Sequence, residues 1–349
     1  MTEPDLSKIN TIRKLLQSEI VKVTGCTEPA SVAYAFLTAR RHMKRAFDPL
    51  TAKAVLSASP EVLRNASTAV VPFLNRRGLQ VVVAAGLSSK ADQFDLFPAI
   101  DRRIARILLR RRSWLKVGQV ARQKGVYVKA VLSTPTESVS VVIEGQHDEI
   151  RSGSHNGKTA FRASPKRQRP ISMAEIMAVV AKRDRRLEAM AREFIVRQVR
   201  GDPALPLPQR AAALIRDRMC GSASPVMTIV GSGNHGILLG IPFYELYRKR
   251  GRRILPAVLF SLLTVIHMTA KRSRISEECG LATKAAPALA AGLAFAQGAD
   301  LAQITRLMRT VSAALHSLKC HGARASCGRK AQRVLKVVLA EVKAGTYGG

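Results

Sequence analysis

The alternation of apolar and polar positions divides the chain before any motif is read. Residues 6–17 repeat apolar side chains at helical spacing, and a second helix is expected over residues 30–46, after a turn at residues 25–29. Between residues 68 and 84, and again between 126 and 143, short β-branched runs broken by Gly, Pro, Ser and Thr predict strands. Residues 101–116 between them read as helix. Residues 151–170 are polar and rich in turn formers, so a hairpin or linker is expected there, and with it the best internal boundary. From Ser172 onward the pattern is helical nearly throughout. The most apolar stretch, residues 254–270, contains His267 and runs into Lys271-Arg272. It falls short of the roughly 18 to 20 uninterrupted apolar residues that a membrane span needs, and reads as a buried helix.

The expected fold is α+β, with a strand-containing part plus a predominantly helical cysteine-bearing part. Three segments follow: N-terminal helices with the Cys26 turn over residues 1–49, packing on the helical part; an α+β part over 50–165; and a helical part over 170–345. With 349 residues and 47% hydrophobic content, the chain can bury a substantial core.

Charge adds a second constraint. Lys and Arg number 57 against 24 Asp and Glu, a formal net charge of +33. Such a field attracts nucleic acid, anionic lipid or anionic metabolites without choosing among them. The charge is dispersed over groups such as Arg40-Arg41, Arg102-Arg103, Arg110-Arg111-Arg112 and residues 248–253, and aromatic residues make up only 5% of the chain, so platforms for base stacking are scarce. A solvated basic surface is expected, with no specific nucleic-acid partner.

The chemistry lies in the cysteines. Five in this length, with no legible secretory signal, argue for reduced thiols in a cytoplasmic setting and against a disulfide scaffold. Cys26, Cys279, Cys320 and Cys327 sit among small or polar neighbours, whereas Cys220 reads as a structural thiol in the Met219-Cys220-Gly221 turn. No C-x2-C pair exists, which disfavours a zinc ribbon. On a helix, Cys320 and Cys327 would share one face, two turns apart. Scattered thiolates of this kind suit an iron–sulfur cluster better. Gly231-Ser232-Gly233-Asn234-His235-Gly236 formally matches a dinucleotide fingerprint, but Arg252-Arg253-Ile254 stands where an acidic residue belongs. An amide nest for a substrate carboxylate is the preferred reading.

These words, Gly25-Cys26-Thr27-Glu28-Pro29-Ala30, Val230 to Ile237, Arg274-Ile275-Ser276 with Cys279-Gly280, and Cys320 to Lys330, resemble those of the L-cysteine desulfidase family, the UPF0597 group, related to the iron–sulfur L-serine dehydratases. Gln146-His147-Asp148-Glu149-Ile150 and Asn65 match weaker family words. The chain departs from the family pattern at His235, where the family carries Gln, at His321, where it carries Asp, and at Glu277, Glu278 and Lys284, where its residues are small or apolar.

The resemblance implies a 4Fe–4S cluster, with no pyridoxal phosphate, and β-elimination of L-cysteine to pyruvate, ammonia and hydrogen sulfide. L-serine dehydration is the nearest alternative, and a catalytically inactive homologue that binds an anionic partner through its basic surface is another. Cys26, Cys279, Cys320 and Cys327 compete for three ligand places, the leftover thiol serving as acid, base or substrate contact. Cys26 and His235 are the catalytic candidates. Thr27 and Glu28 would bind the substrate ammonium and Ser232 and Asn234 its carboxylate, although these four also suit helix caps and turns. His147 and Lys330 complete the substrate candidates. The expected partner is a small amino acid, with no membrane, and homo-oligomer formation is left open.

Overall fold

A computed structural model describes residues 6–164 and 170–345; parts of the expected first segment and of the 151–170 boundary lie outside them. The chain opens with α1 (Leu6–Glu19), the two-residue β1 (Lys22–Val23) and α2 (Thr27–Arg41). Next come β2 (Lys53–Ala58), α3 (Pro60–Thr68), the short pair β3 (Val70–Val71) and β4 (Arg76–Arg77), α4 (Leu79–Ser88) and α5 (Arg102–Arg110). Five strands follow: β5 (Leu115–Gln119), β6 (Tyr127–Ser133), β7 (Ser138–Glu144), β8 (Ile150–His155) and β9 (Lys158–Arg162).

β2 and β5 to β9 form one mixed six-stranded sheet in the order β5-β2-β6-β7-β8-β9. Only β2 and β5 run parallel. Period-two burial fixes the register: Ala54, Leu56 and Ala58 of β2, Val128, Ala130 and Leu132 of β6, and Val139, Val141 and Ile143 of β7 all point inward. They meet Phe36, Leu37, Val82 and Leu87 from α2 and α4, together with Phe97 and Trp114.

The rest is helical: α6 (Met173–Ala181), α7 (Arg185–Arg197), α8 (Leu207–Met219), the short β10 (Val226–Met227), α9 (Gly233–Arg250), α10 (Leu255–Ala270), α11 (Ala286–Phe295), α12 (Leu301–Leu315) and α13 (Cys327–Ala344). α10 and α11 are buried nearly all round and form the centre of a second core. The stretch Gly233–Ala270 is long and apolar enough to cross a membrane by composition alone, but 83% of its apolar window is buried within the fold.

Several expectations are corrected. Val81, Val82 and Val83 belong to helix α4, not to a strand. That helix packs between α2 and α5, with α2 separating it from the six-stranded sheet, and residues 81–88 are all buried, which removes the amphipathic signal. At Gly86 an added Cβ would stand 2.1 Å from the Ala33 carbonyl oxygen, so only glycine permits that approach. The 101–116 helix stops at Arg110, and Leu115 and Lys116 already belong to β5. α2 begins at Thr27, because Pro29 in its first turn needs no backbone donor, and it ends at Arg41. The N-terminal segment does not pack as one piece on the helical part. Ile9, Ile12 and Leu16 of α1 join the helical core, while α2 joins the sheet core.

The two cores are stitched by β1 and β10, which pair antiparallel with Lys22 opposite Met227 and Val23 opposite Val226. Next to this pair, a part-buried ion pair with contacts of 2.8 and 2.5 Å ties Arg274, in the loop after α10, to Glu19 at the end of α1.

Candidate active site

The stitch sets the start of α2 beside the start of α9. Gly25 takes φ +72, and an added Cβ would meet Pro72 at 2.8 Å, so the chain turns there only as glycine. Cys26 follows as the extended N-cap of α2, with no side-chain capping bond. Its thiol instead donates to Glu28 Oε2 at 3.0 Å. Glu28 collects further donors from Thr27 Oγ1 at 3.2 Å and Asn65 Nδ2 at 2.9 Å, and His147 Nε2 stands 4.0 Å from its Oε1. Burial opposes ionisation of Glu28, yet the facing His147 and the donated hydrogen bonds hold its carboxyl below the usual range. Burial, and then the Glu28 charge, raise Cys26 well above the ordinary thiol value, so it stays protonated. Burial also lowers His147, whose two ring nitrogens are buried without a hydrogen-bond partner among the described residues.

On the α9 side, Val230 and Gly231 both adopt positive φ, +49 and +73, before Ser232 caps the helix by accepting from His235 N–H. A Cβ on Gly231 would reach within 2.3 Å of His147 Nδ1. His235 is buried, and burial followed by the nearby Lys284 charge lowers its pKa to about 3, leaving a neutral imidazole whose Nδ1 has no partner among the described residues. Asn234 Oδ1 accepts from Arg218 Nη1 at 2.8 Å.

The remaining thiols arrive on two loops zipped together. Cys279 N–H donates to Leu318 O at 2.9 Å, and Cys320 N–H donates to Glu277 O at 2.6 Å. Cys320 is not on a helix with Cys327 as expected: Gly322, at φ +93, breaks the chain between them, and α13 starts at Cys327. The three thiols are nonetheless electrostatic neighbours. Burial raises Cys279 and Cys327, and a smaller upward push comes from Cys327 on Cys279 and from Cys320 on Cys327.

All four motif thiols open on one cavity of about 100 Å³, together with Thr27, Glu28, His147, Ser232, Asn234 and His235. Lys330 does not line it; its Nζ donates to Lys319 O at 2.5 Å, bracing the turn before Cys320. His321 is exposed, and Cys220 is exposed and outside the cavity. Among the described residues no three His, Cys, Asp or Glu side chains close on a point fit for a single metal ion. Four thiols lining one cavity are the type of donor set that an iron–sulfur group uses.

Three lining residues escaped the sequence reading as site members. Asn65 joins Glu28 to Cys320, whose thiol lies 3.9 Å from Asn65 Oδ1. Arg218 supplies a buried guanidinium. Lys284, 1% exposed, lies in the π-helical turn Leu281–Ala285 and donates to the carbonyls of Ser273 and Arg274 at 2.5 and 2.8 Å. Burial, then Arg274 and Arg272, lower it to about 8. Its signal was a lone charge inside a run of small apolar residues.

Comparison with known proteins adds an independent line. The family model for the serine dehydratase alpha chain matches residues 100–343. A UPF0597 protein of Kosmotoga olearia is 24% identical, over 91% of this chain and 84% of that protein. One from Porphyromonas gingivalis is 26% identical, over 93% and 86%.

Proposed function

Because the chain belongs to the serine dehydratase alpha chain family, we propose that it is an iron–sulfur-dependent lyase that eliminates the β-substituent of L-cysteine, yielding pyruvate, ammonia and hydrogen sulfide. The observation that carries this reading is the convergence of four thiols on a cavity that also holds a buried carboxylate and two buried imidazoles. L-serine is the second substrate reading, favoured by the description of the matching family.

Cys279, Cys320 and Cys327 are the cluster ligands in this proposal, since they neighbour one another, while Cys26 is bonded to Glu28. When bound, a 4Fe–4S cluster held by three thiolates offers an open, Lewis-acidic iron to the leaving group.

The protein's own groups handle the protons. Elimination takes one proton from the α-carbon and delivers one to the departing sulfur or oxygen. The resting site holds a donor, the Cys26 thiol, and two unprotonated acceptors, Glu28 and His235. His235, with Nδ1 free, takes the α-proton; Cys26 gives its proton to the leaving group and is braced by Glu28. The Cα–H and Cβ–S bonds break and the Cα=Cβ bond forms. The resulting enamine tautomerises to an imine, which water hydrolyses to pyruvate and ammonia. The buried walls keep competing water from the carbanionic centre.

Anaerobic reconstitution of single Cys→Ser variants tests the reading through iron content and pyruvate release. Loss of iron from the variants at 279, 320 and 327, retention in Cys26→Ser with turnover abolished, and no effect of Cys220→Ser are the expected results. Failure of the wild-type chain to bind iron or release pyruvate from either amino acid would overturn it.

A further inference from the structure

We propose that Arg218 anchors the α-carboxylate of the amino-acid substrate through the Nε–Nη2 edge of its guanidinium, an inference that rests on the lyase reading above and deepens it. Arg218 lies at the end of α8 and is 3% exposed. Its Nη1 is held by Asn234 Oδ1 at 2.8 Å. Its Nε and Nη2 are buried and have no acceptor among the described residues. Burying a cation with two of its donors left without an acceptor is unfavourable, so a fold that keeps one is completed by an anion from outside.

The geometry selects the kind of anion. Nε–H and Nη2–H point the same way from one side of a planar fork, the edge that pairs with both oxygens of a carboxylate at once. Asn234 occupies the other side and fixes the rotation of the plane. Gly233 completes the cradle: an added Cβ would stand 2.7 Å from both Cζ and Nε of Arg218, so the guanidinium lies against the first residue of α9. The N-terminal end of α9, which begins at Gly233, also favours negative charge beside it.

This arrangement also reassigns two residues. Ser232 is occupied in capping α9, and Asn234 acts on the carboxylate through Arg218 instead of binding it alone. A cavity of about 100 Å³ with one such anchor takes small 2-amino acids and rejects amines without the acid group.

The rival role for Arg218 is counter-charge to the thiols, since it lies near enough to favour ionisation of Cys26 and Cys327. Calorimetric binding of L-alanine, which keeps the carboxylate and ammonium but has no leaving group, separates the two roles when set beside ethylamine. Wild type is expected to bind L-alanine and not ethylamine. Arg218→Gln, which preserves a donor for Asn234, is expected to weaken L-alanine by about 10- to 100-fold, the loss of a charge-assisted pair. Its iron content after reconstitution and its unfolding midpoint should not fall. Arg218→Lys keeps the charge without the fork and should bind between the two.

Equal binding of L-alanine by wild type and Arg218→Gln, binding of ethylamine as tight as L-alanine, or no L-alanine binding by wild type would overturn the proposal. So would iron loss in Arg218→Gln with L-alanine binding intact. If no preparation releases pyruvate while L-alanine binding still depends on Arg218, the reaction assignment fails and the anchor stands.

Discussion

Asn65 donates to the Glu28 carboxylate at 2.9 Å while its own carbonyl oxygen lies 3.9 Å from the Cys320 thiol. One amide therefore links the Glu28 carboxylate to the Cys320 thiol across the cavity wall. Asn65→Ala deprives the buried carboxylate of a donor and should cost about 1–3 kcal/mol in urea unfolding. Asn65→Asp should cost more, because it sets a second acid against Glu28.

His235 titrates far from neutrality, which fixes the sign of a pH effect. Its folded pKa is lowered from 6.5 to about 3, so between those values the unfolded chain binds a proton that the native chain refuses. The stability this contributes is full above pH 6.5 and is lost as pH falls toward 3, at about 1.4 kcal/mol per pH unit. His235→Gln, the residue that the resembling family carries there, should flatten that part of the acid limb. Urea titrations of iron-free protein from pH 4 to 7, in steps of about one unit, check it.

Glu137 fastens the segment that follows α2 to the sheet. It accepts from the His155 ring at 2.8 Å and from the backbone N–H groups of Lys44 and Arg45, each at 3.0 Å. The His155 bond, followed by the Lys44 bond, lowers its pKa. Its contribution is present above the ordinary carboxylate range and disappears as pH falls through the lower folded value. Glu137→Gln should be less stable than wild type at neutral pH, and the gap in unfolding midpoint should close in acid.

Gly231 combines a left-handed backbone with the contact to His147. Gly231→Ala should cost at least about 1–2 kcal/mol for the backbone alone. Displacement of His147 from Glu28 should also lower kcat. Loss of stability with unchanged turnover would mean that the His147–Glu28 pairing is idle in the reaction.

The thiol motifs and the strands of β6 and β7 were legible because each is a local signal: short residue words in one case, period-two burial in the other. The α4 helix was not, since a helix buried on every side has no polar face to betray its period. Cys320 was misread because equal spacing suits a helix or a loop alike, and only the left-handed Gly322 decides between them. Arg218 looked like one cation among 57 basic residues. What distinguishes it is a buried Nε–Nη2 edge with no acceptor among the described residues, a property of the folded neighbourhood and not of the residue.

The β1–β10 stitch has a consequence for the order in which the protein matures. Asn65 and Cys320 lie 255 positions apart, and their meeting depends on the docking of two separate cores. A nascent chain can finish the sheet core while the thiols at 279, 320 and 327 are still being synthesised, but it cannot enclose them until both cores have closed. On the proposed cluster reading, loading is expected to follow the docking of the two cores, and its rate should track the closure of that seam.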